Sequence, residues 1–235
     1  MIIALVLAAA SFILSASAGL GGSLILVPTM SLILGPKQGI TLAALLLGCN
    51  NIAKVFAYRH VIPLRETLVV ILLTILGTAI GAQLLVAAPI SWVNTAIIAS
   101  IGWTFVSERI EFDGMRRVSA PFLAFCAGAT SGFSGSSGPL KGIALRNLGF
   151  DRLHLVGAAS VVSLTADAIK ATIFLHASLM DETSWRIALF ALPLMPLATY
   201  TGRHINARIG ERAYSGLFWI VMTGYSVRLV LFALP

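Results

Sequence analysis

The sequence predicts an all-α polytopic membrane protein made of two inverted-topology repeats, and three observations predict it. Composition is the first: of 235 residues, 58% are hydrophobic and 11% charged, with a mean hydropathy of +0.94. Soluble domains carry roughly 25% charged residues, so water-soluble enzymes, nucleic-acid binders and disordered regulators are excluded together. The second is a series of apolar stretches at about 2–34, 38–58, 67–88, 91–107, 119–140, 153–176, 186–202 and 213–233. None alternates with a strand period, and backbone in lipid must bond to itself, so these are helices. About 20 apolar residues cross about 30 Å of hydrocarbon, which leaves no room for a domain outside the membrane. The third is an internal repeat: a shift of 116 residues places Gly19 on Gly135, Gly22 on Gly138, Ala43 on Ala159, Asn51 on Asp167, Lys54 on Lys170 and His60 on His176. A shift of 121 places Thr78 on Thr199 and Gly81 on Gly202.

The first stretch, 2–34, contains Ala16-Ser17-Ala18, which imitates a signal-peptidase site. It lacks a basic residue ahead of its apolar run, and its glycines take part in the repeat, so it is expected to belong to the fold. Gly19-Leu20-Gly21-Gly22-Ser23 breaks it ahead of Pro28, and Gly132-Phe133-Ser134-Gly135-Ser136-Ser137-Gly138-Pro139 breaks 119–150. At membrane depth a broken helix survives where protein or a watery cavity satisfies its backbone. Each repeat, 1–118 and 119–235, is therefore a re-entrant hairpin or broken helix followed by three transmembrane helices, and the two form a single membrane domain. Cys49 and Cys126 fall in apolar runs without disulfide or metal spacing and read as small hydrophobes.

Charge orients the chain. The segments 59–66, 107–119, 140–153 and 203–212 hold eleven of the sixteen basic residues, Lys141 and Arg146 among them. The segment 177–184 carries Asp181 and Glu182, and 88–91 carries no charge. The basic set reads as cytoplasmic, which also accounts for the net charge of +7. His60 then lies inside and its counterpart His176 outside, so the halves are inverted. Inversion requires an odd number of crossings per half. A hairpin at 2–34 and at 119–150 satisfies this. A single tilted helix at each would put two basic segments on opposite faces.

Chemistry concentrates in the middle of two spans, at Asn50-Asn51 with Lys54 and at Asp167 with Lys170. Ionisable residues at membrane depth are costly, roughly 2.5–3.5 kcal/mol each, and mark functional sites. The competing readings are snorkelling of the lysines to the interfaces and a structural Asp167–Lys170 pair. Converging near the midplane, Asn51, Lys54 and Lys170 with the backbone and hydroxyls of Gly21, Gly22, Ser23, Ser136, Ser137 and Gly138 would form a small oxyanion site. Asp167 is the one carboxylate of nine inside a predicted span, a candidate carrier of coupled protons. Gly77, Gly81 and Gly202 read as close helix contacts.

Gly19-Leu20-Gly21-Gly22-Ser23 with Pro28, then Asn51-x-x-Lys54 with Tyr58-Arg59, and the second glycine-serine cluster ending Gly138-Pro139-Leu140 resemble the TauE/SafE family of sulfite exporters, also grouped as 4-toluene sulfonate uptake permeases. The resemblance spans nearly the whole chain. It implies a secondary transporter of sulfite, sulfonates or sulfo-organic acids across the bacterial inner membrane, working by alternating access without a cofactor or nucleic acid. Its partners would be the small anion, lipid and coupled protons. Two alternatives use the same residues. A passive anion channel would need no alternating access. An intramembrane serine protease would use Gly132-Phe133-Ser134-Gly135, which resembles the rhomboid nucleophile motif, with a base drawn from His154, His176 or His204.

Overall fold

In the computed structural model the apolar stretches are helical wherever they are described, and among the described residues there is no strand. The structure describes residues 5–6, 9, 22–109, 120–137 and 140–206. The elements are α1 (Gly22–Leu34), α2 (Pro36–Tyr58), a 3-10 turn (Arg59–Val61), α3 (Leu64–Ala87), α4 (Ile90–Arg109), α5 (Ala120–Ser134), α6 (Leu140–Arg146), α7 (Arg152–His176) and α8 (Glu182–Asn206). Ala16-Ser17-Ala18 and the stretch 213–233 lie outside the described residues.

Three segments, Pro36–Val61, Leu64–Ala87 and Leu153–His176, are long and apolar enough to cross a membrane. The described parts of α1, α5 and α6 have 13, 15 and 7 residues. The outward face of α3 carries Leu68, Leu72, Leu76, Ile80 and Leu84, each more than 40% exposed. Its opposite face buries Thr67, Thr74, Gly77, Thr78 and Gly81. An apolar stripe of that length facing outward fits lipid rather than water. Trp92 and Trp185, in the first turns of α4 and α8, are exposed as well, as expected of interfacial tryptophans.

Glycines set the closest helix contact. Helices α3 and α5 run side by side in the same direction, with the Thr74 hydroxyl donating to the Ala124 carbonyl at 3.3 Å. A Cβ added at Gly77 would lie 2.2 Å from the Phe125 oxygen, and one at Gly81 2.2 Å from the Ala129 oxygen. From the other side, Gly128 and Gly132 approach the carbonyl oxygens of Thr74 and Thr78 at 2.3 and 2.4 Å by the same measure. This is small-xxx-small packing from both helices, as expected at Gly77 and Gly81. Gly202 lies in α8. Gly132 was expected to belong to the break, but it is a packing residue within α5, which continues to Ser134. The chain turns at Gly135, whose φ of +79° is a left-handed conformation that favours glycine.

Helices α2 and α7 run antiparallel. The Val61 carbonyl faces Gly157 near one end, while Asn51 meets Asp167 ten residues further along each. Helix α7 begins 116 residues after α2, at Arg152 against Pro36. Asp151 caps α7, accepting the His154 backbone N–H at 2.9 Å. That bond, with the adjacent His154 ring, holds the exposed Asp151 carboxyl below the usual carboxylate range. At the opposite end of the core, Lys37 Nζ donates to the Val86 carbonyl at 2.8 Å and satisfies one open acceptor of the last turn of α3. Cys49 and Cys126 are unpaired and half-buried.

Candidate functional site

Where α2 crosses α7 the sequence is small and polar, and the helices come together there. A Cβ at Gly48 would lie 3.5 Å from that of Asp167. Asn51 Nδ2 donates to Asp167 Oδ2 at 2.8 Å. Asp167 Oδ1 pairs with Lys170 Nζ at 2.7 Å, with side chains 7% and 2% exposed respectively. Lys170 donates again, to Ser131 Oγ on α5 at 3.2 Å. Both oxygens of the carboxylate are thus engaged, and Lys170 is locked rather than snorkelling. The expected structural pair between Asp167 and Lys170 is present.

Beside this cluster lies a cavity of about 50 Å³. One water needs roughly 10–15 Å³ of such space, so the cavity holds a few waters or one small oxyanion. Gly22 and Ser23 line it from α1, Asn51 and Lys54 from α2, and Ser137 from the turn after α5. Lys54 makes no hydrogen bond or ion pair among the described residues, so its ammonium is available to a ligand. Ser23 Oγ and Ser136 Oγ approach to 3.4 Å and link α1 to the turn after α5. Ser136 stands behind the lining. Gly21 and Gly138 lie outside the described residues.

Lys141 was not among the expected site residues, having been read only as one of the basic charges of segment 140–153. It lines the cavity from α6, and its Nζ donates to Ser163 Oγ on α7 at 2.7 Å. The fields of Asp167, Lys170 and Lys54 all reach it. Three of the chain's four lysines therefore share one cavity. Ser160 and Ser163 were also missed, although with Asp167 and Lys170 they form a stripe at helical spacing along one face of α7. That stripe was the available signal.

Among the described residues Ser134 is not paired with a histidine, and the His204 side chain lies outside them. Its hydroxyl donates to the Thr130 and Ser136 carbonyls at 2.9 and 3.2 Å. His154 and His176 occupy the first and last turns of α7. The motif at 132–135 is helix packing and a turn.

Helices long and apolar enough to cross a membrane, an apolar outer face on α3 and a cavity lined by three lysines and several hydroxyls define a helical membrane protein with a polar site between its helices. The family model described as sulfite exporter TauE/SafE matches residues 2–229, and the chain belongs to that family. No curated protein and no solved structure matches it.

Proposed function

We propose that the chain is a secondary transporter carrying small sulfur-containing anions (sulfite, sulfonates or sulfo-organic acids) across the bacterial inner membrane. The anion would bind in the cavity at the α2–α7 crossing and be exposed alternately to either side. The observation that carries this reading is the Asn51–Asp167 hydrogen bond between residues 116 apart. That separation is the repeat shift itself, and antiparallel equivalents that bond to each other meet where an in-plane pseudo-twofold axis would pass. Two inverted halves with a midplane site at their interface are the architecture that supports alternating access.

Within this reading, Asn51, Lys54, Lys170, Ser23 and Ser137, with the backbone of Gly21, Gly22 and Gly138, serve the anion. Ser136 serves it indirectly by holding Ser23. Lys54→Ala should weaken sulfite binding about tenfold or more, since a hydrogen bond to a charged group contributes roughly 1.5–3 kcal/mol. Its fold should be retained, because the Lys54 ammonium holds no structural partner. Isothermal calorimetry on the purified protein reads this directly; unchanged affinity would remove Lys54 from the site.

Asp167 supplies a route to proton coupling. A proton on it would break its pair with Lys170 and release a further cation to the anion, so anion and proton would bind cooperatively. Asp167→Asn should therefore abolish accumulation driven by a proton gradient in proteoliposomes. Accumulation that persists would assign coupling elsewhere.

A further inference from the structure

The charges around the cavity do not balance. Among the described residues its lining holds one carboxylate, Asp167, and three ammonium groups, Lys54, Lys141 and Lys170. Asp167 is committed to Lys170 and Asn51, which cancels Lys170. Every other described lining residue is neutral: hydroxyl-bearing residues such as Ser23, Ser131 and Ser137 alternate with apolar ones such as Leu47 and Ala159. The carboxylates of Glu66, Asp151, Asp181 and Glu182 stand at or just before helix starts and do not line it. Two positive charges remain, on Lys54 and Lys141.

We propose that the cavity selects a small, doubly charged oxyanion over a singly charged sulfonate, and that Lys141 is the residue setting this choice. The proposal rests on the anion-transport reading above. Moving an ammonium out of water is costly unless a counter-charge meets it. A monoanion in this space would balance one of the two lysines and leave the other uncompensated, whereas a dianion balances both. Lys141 is also held in place. Its bond to Ser163 uses one of three donors, leaving two for the anion and fixing where the ammonium sits. The cavity of about 50 Å³, with Ser23 and Ser137 in its lining, has room and hydroxyl donors for a head of sulfur and oxygen. Sulfite and sulfate meet these terms. Methanesulfonate presents the same three oxygens with one charge fewer.

Calorimetry on the purified full-length protein, with sulfite in its doubly ionised form, sulfate and methanesulfonate, tests this. The wild type should bind the tighter of the two dianions at least about fivefold more strongly than methanesulfonate. Lys141→Gln should reduce that ratio by more than about twofold, chiefly through the dianion, while Lys141→Arg keeps it. A wild-type ratio below fivefold overturns the proposal without needing any variant to fold. So does a ratio in Lys141→Gln that stays within twofold of the wild type. In both cases anion binding, and with it the transport reading, survives. Failure of all three anions to bind the wild type would sink both.

Discussion

Asp167→Leu should leave almost no protein that survives extraction into detergent as a folded species. The substitution strands the Lys170 ammonium, which is 1% exposed and keeps a single remaining hydrogen bond, to Ser131. Breaking one side of a buried pair costs about 3–5 kcal/mol, a large share of the 5–15 kcal/mol that separates folded from unfolded states. Asn51 would lose its acceptor as well. The compensated double variant, Asp167→Leu with Lys170→Met, should recover folding, since an apolar pair of similar volume replaces a buried ion pair at little cost. Size-exclusion profiles and thermal melts in detergent compare the two, and a stable single variant would show that the pair is dispensable to the fold. For the same reason Lys170→Ala is a poor probe of binding, since it would strand the Asp167 carboxylate.

Gly128→Val should be as damaging for a different reason. Its new Cβ would stand 2.3 Å from the Thr74 carbonyl oxygen and 3.0 Å from the Thr74 Cα, both backbone atoms of α3 that cannot rotate aside. Helices α3 and α5 would have to part along the whole Gly77, Gly81, Gly128 and Gly132 seam, for a loss of about 4 kcal/mol or more. Gly102→Ala is the matched control. Nothing lies within 4 Å of its Cβ position on α4, and alanine favours a helix interior by roughly 0.5–1 kcal/mol. Equal thermal stability of Gly128→Val and Gly102→Ala would contradict the close α3–α5 contact.

Much of this was legible in the chain because lipid imposes simple rules. Hydropathy located α2, α3 and α7 to within a few residues, since each is a near-continuous apolar run with polar ends. Asn51, Lys54, Asp167 and Lys170 announced themselves because charge and amide groups are rare at membrane depth. The repeat shift linked Asn51 to Asp167, and the two share a hydrogen bond. Lys141 was lost for a physical reason too. A lysine a few residues from Arg146 and next to a glycine break satisfies the positive-inside pattern, and sequence does not reveal that the break carries the chain back into the protein. Gly132 was misassigned because a glycine that packs a helix and one that ends it look alike until the neighbouring backbone is known. The second break falls at Gly135, where φ is positive.

The central claim is that one cavity carries the anion by alternating exposure, and counterflow tests it most directly. Proteoliposomes holding the protein are preloaded with unlabelled sulfite and diluted into a trace of labelled sulfite. The account predicts transient accumulation of label above equilibrium, because a carrier returns loaded, and loss of that overshoot in Lys54→Ala. Label that equilibrates without overshoot would contradict alternating access and identify a channel. An overshoot undiminished in Lys54→Ala would leave a carrier whose binding does not depend on Lys54.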